Sequence, residues 1–401
     1  MANAKRPLDG ITVISLEHAI AAPFCTRQLA DLGARVIKVE RPGVGDFARG
    51  YDDRVHGLAS HFVWTNRSKE SLTLDVKHPE AAALLQRLIV EKADVVVQNL
   101  APGAAERLGV SYEALKGRRP DLVVCGISGY GDDPAAPGPY RDKKAYDLLI
   151  QSESGFVSIT GTPDEPSKAG LSIADIAAGM YAYSNILAAL LQRNIDGQGR
   201  RIDLSMLEAM GEWMGYPLYY AFDGATPPPR AGAAHATIYP YGPFPTGDGK
   251  TVMLGLQNER EWVLFCDKVL QQPALATDER FVGNARRTAS REALRALIVQ
   301  AFAALSYEQV VQRLEAAQIA NAELRDMAGL WSHEQLAARD RWREVGTSAG
   351  PVPALLPPGS WDDGDPRMDA VPALGQHTDA ILAELGLDTA AIAALRQAEA
   401  I

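Results

Sequence analysis

A single carboxylate stands inside a long apolar segment of the chain. The stretch AGLSIADIAAGMYAYSNILAALL, residues 169–191, repeats apolar residues at roughly helical spacing, and Asp175 is the one charge within it. An aspartate near a helix start can cap the helix, because its side chain accepts a first-turn N–H and its charge suits the helix dipole. Among small neighbours on a rigid helix, the same carboxylate can act as a nucleophile or a general base. Both explanations stay open at this point.

Cationic and amide side chains follow two predicted strands earlier in the chain. The segment VIKVERPGVGD places Lys38 and Arg41 just before a glycine-rich turn. A phosphate would suit this place, since arginine offers two parallel donors and glycine allows close backbone approach. The segment VVVQNLAPGAAERLG places Asn99 at a strand end, with Arg107 eight residues later. Taken alone, either group is equally typical of a solvated edge or an ordinary loop.

A third group, Lys144 and Tyr146 in YRDKKAYDLLIQ, precedes another apolar run. In open parallel sheets, ligands bind beyond the carboxyl ends of the strands. Three polar groups at successive strand ends therefore predict one crevice, and Asp175 lies on a later helix start. This arrangement is typical of a site that holds a phosphorylated carrier and presents its reactive end to a carboxylate.

The elements that must position these side chains follow from the hydrophobic pattern. A strand is predicted for ITVISLEHA (11–19), a short helix for CTRQLADLG (25–33) and a second strand for ARVIKVERP (34–42). Such βαβ units build parallel sheets covered by helices. The alternation continues to about residue 200, so we expect a doubly wound α/β domain there. After the linker-like DGATPPPRAGAAH, the pattern predicts a smaller α+β domain and then a final helix in PALGQHTDAILAELGL.

Composition and missing motifs exclude several classes of function. With 401 residues, of which 47% are hydrophobic, the chain can bury cores in two domains. A net charge of −10 argues against nucleic acid as a partner. We expect no membrane span, because no run of about eighteen apolar residues is present, and no secretory leader opens the sequence. The dinucleotide fingerprint, P-loop, zinc-protease and nucleophile-elbow motifs are all missing from the sequence.

The three cysteines, Cys25, Cys125 and Cys266, lie far apart. They form no CxxC pair or Cys/His cluster, so we expect neither a metal site nor a disulfide framework. A reducing cytoplasm fits this pattern.

The sequence resembles the class III coenzyme A transferases, the CaiB/BaiF family. Five segments carry the resemblance in the same order and spacing: PLDGITVISLEHAIAAPFCTRQLADLGARVIKVERPGVGD, VVVQNLAPGAAERLG, GISGYG, KKAYDLLIQSESGFVSITG and PALGQHTDAIL. The similarity extends from about residue 6 to residue 390. The order of the segments is far more specific than any one of them.

The resemblance implies an α/β fold with a large Rossmann-like domain, a smaller α+β domain and an interlocked homodimer whose active sites lie at the subunit interface. It divides the chain into the N-terminal part of the large, CoA-binding domain (1–200), a linker helix (201–224), the small domain (225–330), and a return linker with the rest of the large domain (331–401). Coenzyme A would be a co-substrate, and no tightly bound cofactor, nucleic acid or membrane partner is implied.

The resemblance also assigns roles to residues. Asp175 in LSIADIAAG occupies the position of the catalytic aspartate. His18, Ala19 and Ile20 line the first loop near the reaction centre. Coenzyme A contacts are implied for six residues: Arg41, Lys77, Asn99, Arg107, Lys144 and Tyr146.

The implied mechanism is a covalent relay. Asp175 attacks the thioester carbonyl of the donor to give a mixed anhydride, and the released CoA thiolate then attacks the aspartyl carbonyl. The resulting aspartyl-CoA thioester passes coenzyme A to the acceptor acid by the reverse steps. Such a relay conserves the thioester energy only if water is excluded.

Two departures from related patterns affect the choice among alternatives. Formyl-CoA:oxalate transferases carry a glutamine where this chain has Ile20, and a glycine run where it has GLQNEREW. In α-methylacyl-CoA racemases, a histidine base takes the place of Tyr146, whose phenol is a poor substitute at neutral pH. Oxalate transfer and racemisation are therefore disfavoured. Carnitine CoA transfer, and a catalytically silent member that only binds coenzyme A, remain further alternatives.

The small-domain segment RAGAAHATIYPYGPFPTGDGKTVMLGLQNEREW is similar to that of transferases acting on short dicarboxylates. Mesaconyl-CoA C1–C4 transferases and succinyl-CoA:malate or citramalate transferases are examples. His235, Tyr239 and Arg260 could then pair with a distal carboxylate, because arginine suits bidentate carboxylate recognition. Ordinary surface polarity in a hairpin and a helix is an equally good explanation of these three residues.

Overall fold

The computed structural model describes residues 5–359 and 365–401 of the chain. Its contacts divide the chain into two compact units. The large unit comprises Met1–Ser154, Gly170–Met214 and Leu336–Ile401, and the small unit comprises Gly155–Ala169 and Gly215–Gln335.

A six-stranded parallel sheet forms the centre of the large unit. Its strands are β1 (Thr12–Leu16), β2 (Arg35–Glu40), β3 (Lys69–Thr73), β4 (Val95–Gln98), β5 (Val123–Ser128) and β6 (Arg201–Ser205). The spatial order is β3-β2-β1-β4-β5-β6. This is the doubly wound dinucleotide-fold order, and its strand order reverses between β1 and β4. A polar site is expected beyond the carboxyl ends of these two strands.

Helices connect the strands of the large unit and also make up much of the small unit. In chain order they are α1 (Ala21–Asp31), α2 (Ser60–Asn66), α3 (Pro79–Lys92), α4 (Ala104–Arg107), α5 (Tyr112–Leu115), α6 (Asp147–Glu153), α7 (Phe156–Ile159), α8 (Ile173–Asp196), α9 (Met206–Trp213), α10 (Gly215–Tyr220), α11 (Glu259–Leu264), α12 (Asn284–Ala289), α13 (Arg291–Phe302), α14 (Tyr307–Ala316), α15 (Met327–Trp331), α16 (Glu334–Ala338), α17 (Thr378–Glu384) and α18 (Thr389–Gln397). Pro79 opens α3, where its missing N–H costs no helical bond.

The core of the large unit follows from the strand sequences. Val95, Val96 and Val97 are fully buried, as expected for a parallel strand covered on both faces. Leu85 and Ile89 of α3 pack onto the sheet in the same cluster as Ile381 of α17. Helix α17, near the C-terminus, therefore packs into the same core as the first strands of the chain.

Helix α8, with 24 residues, is the longest helix among the described residues. It is long and apolar enough to cross a membrane by length and composition alone. In the structure it packs against α1, β5 and β6, and Ala177, Ala178 and Ile186 are buried there. Core helices of this kind meet the same criteria as membrane spans.

The small unit has its own sheet and core. Strands β7 (Tyr241–Pro245), β8 (Thr251–Gly255) and β9 (Ala320–Glu323) form an antiparallel sheet in that order. Trp262, Phe265 and Phe302 are fully buried beside it. A separate antiparallel pair in the large unit joins β10 (Trp342–Val345) to β11 (Val352–Leu355). The mixed α/β architecture agrees with the sequence analysis.

Two segments differ from the predicted division. The predicted linker helix over 201–224 begins instead with a strand, because Ile202 and Leu204 alternate and the RIDLS segment pairs along β5. Residues 155–169, predicted within the large domain, cluster with the small unit. There Gly232 donates its N–H to the Gly161 carbonyl at 2.8 Å, and the Arg230 guanidinium binds nearby carbonyls.

The close contact between α1 and α8 gives a testable consequence. A methyl group added at Gly179 would lie 2.7 Å from the Ala21 carbonyl oxygen. We expect Gly179→Ala to lower the free energy of unfolding by about 1–3 kcal/mol, since both helices would have to shift. Gly211 of α9 has open space around its Cα, so Gly211→Ala should stabilise by about 0.5–1 kcal/mol. Thermal unfolding measures the stability change of each variant. Equal stabilisation by Gly179→Ala and Gly211→Ala would contradict the close contact between α1 and α8.

Candidate active site

The reversal of strand order brings together two loops of the large unit. The Asn99 side chain, after β4, accepts the His18 N–H at 2.9 Å and donates to the His18 carbonyl at 2.9 Å. His18 follows β1 and is about one-third exposed. Two of the predicted site residues therefore meet where a ligand is expected in this fold. Asn99 fixes the loop that carries His18.

A second loop reaches the same place from β2. After Arg41 the chain turns tightly, and Gly45 donates to the Arg41 carbonyl with a φ of +67°. A side chain at Gly45 would lie 2.8 Å from a Glu40 oxygen, so the turn requires glycine. Asp46 follows it, fully buried, and accepts the Ala19 N–H at 3.1 Å.

A cluster of buried ion pairs lies beneath both loops. Lys38 Nζ lies 2.8 Å from Asp46 and 3.3 Å from Glu17, and Lys69 Nζ lies 2.7 Å from Glu17. All four side chains are fully buried. The idea that Lys38 offers its charge to a phosphate is therefore wrong, because its ammonium group is committed to internal carboxylates. Arg41, three residues later, is exposed.

Asp175 occupies the third position of α8, after Ser172 at the N-cap. The N-cap residue is Ser172 and not Asp175, and Asp175 accepts no first-turn N–H among the hydrogen bonds of the described residues, so the explanation of Asp175 as an N-cap is wrong. The Ala174 N–H of the first turn is instead bound by Asp147 Oδ1 at 2.9 Å. Asp175 is one turn before Gly179 on the same helix face, and Gly179 contacts the start of α1. The carboxylate therefore lies near the loop that follows β1.

The environment of Asp175 favours its neutral form. Desolvation by burial, with a smaller contribution from the negative charge of Asp147, raises the pKa of Asp175 to about 7. Among the ion pairs of the described residues, none involves Asp175. An aspartate perturbed in this way at the edge of a sheet is a candidate for chemistry.

Aromatic rings border the same region. The His18 ring stacks on Phe47 at 5.0 Å, and Phe47 in turn contacts Tyr51 at 5.8 Å. Burial and the nearby acidic groups Asp46, Asp175 and Tyr146 raise the pKa of Tyr51. Tyr51 is therefore influenced by both Asp46 of the buried cluster and Asp175.

Tyr146 and Lys144 lie on the connection between β5 and α6. Tyr146 is two-thirds exposed and directly precedes α6, and Lys144 is also exposed. The connection passes so close to Gly129 that a Cβ there would lie 2.2 Å from the Ala145 Cβ. Gly129, the second glycine of GISGYG, is therefore required for the position of Tyr146.

The predicted coenzyme A cations all belong to the carboxyl-end edge of the sheet. Arg41 follows β2, Lys77 follows β3, and Arg107 ends the short α4 after β4. All three, like Lys144, are exposed. Their charges are therefore accessible to an anion in solvent. Ile20, in contrast, is buried beneath the loop.

The three predicted substrate residues of the small unit differ in exposure. Tyr239 is almost completely buried in the small-unit core, and the Arg291 guanidinium lies over its ring. His235 is half-buried, stacks on Tyr241 and accepts backbone N–H groups at Nδ1. Arg260 is exposed on α11. Packing thus accounts for Tyr239, while His235 and Arg260 retain accessible surface.

Residues that the sequence pattern did not single out complete the site. Asp46, Asp147 and Tyr51 make or border the contacts described above. A signal existed only for Asp46, which follows the glycine-rich turn of RPGVGD. Within residues 5–359 and 365–401, no cluster of three or more His, Cys, Asp or Glu side chains could hold a metal ion.

Comparisons with known proteins cover nearly the whole chain. A family model described as CoA-transferase family III matches residues 8–378. Succinate–glutarate CoA-transferase of Agrobacterium fabrum is 34% identical over 395 residues, which cover 96% of this chain and 97% of that protein. Acetyl-CoA:oxalate CoA-transferase of Acetobacter aceti is 35% identical over 341 residues, covering 84% and 86%. Succinyl-CoA:mesaconate CoA-transferase of Haloarcula marismortui is 32% identical over 402 residues, covering 95% and 97%.

A solved structure has the same fold. The crystal structure of a CAIB/BAIF family protein from Brucella suis superposes with a TM-score of 0.82 at 34% sequence identity. The match covers 95% of this chain and all of that one.

The raised pKa of Asp175 predicts a pH-dependent stability. Its pKa is about 7 in the folded chain and 3.8 ordinarily. Between these values the folded chain keeps a proton that the unfolded chain has released, so stability falls as the pH rises through this window. Asp175→Asn should therefore raise the melting temperature at pH 8 and leave it nearly unchanged at pH 4.

Calorimetry at the two pH values measures this difference. Asp164 is exposed, and Asp164→Asn is the matched control that should shift neither value. An equal gain at both pH values for Asp175→Asn would show that the buried charge is not the cause.

Proposed function

This chain belongs to CoA-transferase family III, and we propose that it moves coenzyme A between a short dicarboxylyl-CoA ester and a carboxylic acid through a thioester on Asp175. The observation that carries the proposal is the half-buried carboxylate at the start of α8, which has a raised pKa and no ion-pair partner among the described residues, near the loop that follows β1. Coenzyme A enters as a co-substrate, and no tightly bound cofactor takes part.

The proposed chemistry uses the ionised form of Asp175. One carboxylate oxygen attacks the donor thioester carbonyl, the C–S bond breaks, and the CoA thiolate leaves a mixed anhydride. The thiolate then attacks the aspartyl carbonyl, and the donor acid departs as its carboxylate. The acceptor carboxylate repeats both steps in reverse, so no net proton or water is consumed. Desolvation makes the anion a stronger nucleophile, since fewer hydrogen bonds from water must be broken.

The exposed cations support binding of the phosphates. Arg41 can offer two parallel donors to one phosphate, and Lys77, Arg107 and Lys144 add positive charge at the same edge of the sheet. Asn99 follows β4, and Tyr146 lies on the connection between β5 and α6, at the same edge of the sheet. The proposal assigns the carrier to the cations and the thioester to the neighbourhood of Tyr146.

The dicarboxylate preference rests on similarity. Relatives named for succinate and glutarate, and for succinyl-CoA and mesaconate, align with more than nine-tenths of this chain. We assign recognition of the distal carboxylate to Arg260. His235, which also retains accessible surface on the small unit, is the other candidate for this role. Tyr239 supports that unit from its core and does not contact the substrate in this proposal.

A second candidate is transfer to oxalate, which is itself a dicarboxylate of two carbons. The relative named for acetyl-CoA and oxalate, 35% identical over 341 residues, favours it. The buried Ile20, where formyl-CoA:oxalate transferases carry glutamine, weighs against it. Racemisation is the weaker alternative, because exposed Tyr146 would have to replace an imidazole base.

The chain also has surface suited to self-association. Leu191 and Ile195 of α8 are 68% and 79% exposed, and in the small unit Tyr219 and Phe222 are 81% and 72% exposed. Large exposed apolar surfaces mark protein interfaces. We assign them to an interlocked homodimer, as the resemblance implies, in the cytoplasm, where the three free, buried cysteines would stay reduced.

Loss of the Asp175 carboxylate tests the mechanism. Asp175→Ala should lower transfer by at least about a thousandfold while calorimetric CoA binding stays intact. In the wild type, kcat/KM should fall about tenfold per pH unit below pH 7, because only the anion attacks. Mass spectrometry of quenched wild-type enzyme should detect a CoA adduct on the peptide containing Asp175. Near-normal turnover by folded Asp175→Ala would refute the mechanism.

Substrate choice tests the proposed acids. Succinyl-CoA should be turned over at least about a hundredfold better than butyryl-CoA. Butyryl-CoA lacks the distal carboxylate, so the polar groups that would bind this carboxylate are left unpaired. Arg260→Met should erase most of that difference, whereas Arg280→Met, at another exposed arginine of the small unit, should not. Arg41→Ala should raise KM for every CoA ester alike.

Following new thioesters by mass spectrometry, with oxalate, succinate, glutarate and mesaconate as acceptors, separates the candidates. Equal turnover of succinyl-CoA and butyryl-CoA would overturn the dicarboxylate proposal. A preference for oxalate alone would favour the second candidate.

Assembly can be tested by subunit exchange. Interlocked subunits cannot separate without unfolding, so the protein should remain dimeric at nanomolar concentration. Two differently tagged preparations should form no mixed dimers on incubation, but should do so after joint unfolding and refolding. Native mass spectrometry reads both results, and a folded monomer or rapid exchange would contradict the interlocked arrangement.

A further inference from the structure

The loop between β1 and α1 contains a strained residue. Ala19 has a φ of +62°, in the left-handed region that residues with a side chain seldom adopt. Such strain persists only where neighbouring groups enforce it, and it gathers at functional sites. The conformation of Ala19 therefore needs a physical cause nearby.

Two side chains from neighbouring strand ends supply that cause. Asn99 binds both backbone groups of His18 from the β4 side. Asp46 accepts the Ala19 N–H at 3.1 Å from the β2 side. The same Asp46 oxygen, Oδ1, accepts the Ala48 N–H at 2.9 Å, while Oδ2 accepts from Lys38 Nζ at 2.8 Å. The carboxylate is therefore held by the cluster at one oxygen and holds the loop with the other.

This loop lies beside the nucleophile. It leads directly into α1, whose Ala21 carbonyl contacts Gly179 one turn after Asp175 on α8. The charges of both Asp46 and Asp175 also act on the Tyr51 hydroxyl, as expected for groups that lie near one another. A change in the direction of residues 18–20 would alter the backbone next to the reacting carbonyl.

We propose that Asp46 is a positioning residue for the transfer reaction, which holds Ala19 in its left-handed conformation and so fixes the backbone of residues 18–20 beside Asp175. It does not touch the substrate. The proposal rests on the proposed function, since its effect is read through the transfer rate.

The contacts of Asp46 define the variant that tests this. An asparagine keeps the shape but offers one oxygen and one N–H₂ group. It can accept from the loop or from Lys38, but it must turn a donor towards the other. Asp46→Asn should therefore release the loop, the ion pair or both. We expect kcat to fall about ten- to a hundredfold with KM for the acyl-CoA changed less than about threefold, because misplacement of about 1 Å costs rate and not binding.

A matched control separates positioning from general loss of stability. Asp31 is also buried, and its carboxylate is paired with Arg67 at the far end of α1. Asp31→Asn should lower the melting temperature to a similar extent and leave kcat unchanged. A fall in kcat for both variants in proportion to lost stability would overturn the positioning role.

Rescue gives a readout that a merely structural role would not move. Glycine adopts a φ near +60° at no side-chain cost. Adding Ala19→Gly to Asp46→Asn should restore at least about half of the lost kcat, although the buried charge remains uncompensated. Amide exchange of the peptide spanning residues 17–22 should be faster in Asp46→Asn than in the wild type.

A second variant keeps the test valid if Asp46→Asn does not fold. Ala19→Val leaves the ion cluster intact but disfavours a positive φ, and it should lower kcat in the same way. Normal kcat in Asp46→Asn or in Ala19→Val, while the wild type is active, would overturn the positioning role alone. A wild type inactive with every acyl-CoA and acid pair would overturn the proposed function itself.

Discussion

The large unit depends on one buried electrostatic cluster, which joins the end of β1, the interior of β2 and the first residue of β3. Glu17 accepts from Lys69 and Lys38, and Lys38 also pairs with Asp46, so two negative and two positive charges balance without solvent. Burial of such groups is tolerated only when each is paired, and removal of one partner typically costs about 3–5 kcal/mol. The cluster ties β1, β2 and β3 to one another and, through Glu17 and Asp46, to the loops that follow β1 and β2. Those loops carry most of the candidate site.

The surroundings of Asp46 and Asp175 shift the pKa values of the two carboxylates in opposite directions. Asp46 is paired, and its pKa is held well below its usual range, chiefly by Lys38 among the stabilising groups. Asp175 has no such cation, and burial together with Asp147 raises its pKa. A carboxylate that is stabilised as an anion is a poor nucleophile. A carboxylate that is desolvated and unpaired lowers its free energy by forming a covalent bond, because its charge is then removed. The fold thus holds one paired aspartate and one aspartate with a raised pKa, and the charges of both act on Tyr51.

Local charge, and not the net charge of −10, determines what this edge can bind. Glu17, Glu40 and Asp46 are neutralised internally by Lys38, Lys69 and Arg49. The exposed cations Arg41 and Arg107 are not neutralised by buried carboxylates in this way. Their positive charge is therefore available to an anionic carrier, although the protein as a whole is acidic. Membership of CoA-transferase family III gives this arrangement a chemical purpose.

The sequence by itself determined the parallel α/β class, the succession of β1, α1 and β2, and the unusual charge at Asp175, because these features depend on residues within one or two turns of each other. Pattern alone could not separate Lys38 from Arg41, which are three residues apart and equally basic. Only the tertiary structure buried the first among carboxylates and left the second in solvent. It also made RIDLS a strand, since the free edge of β5 was there to pair with it. Asp147 binding the Ala174 N–H, and Asp46 holding Ala19, join residues 27 positions apart in each case. Hydrophobic periodicity encodes local conformation, but burial and hydrogen-bond partners are decided by segments distant in the chain, and the raised pKa of Asp175 follows from these.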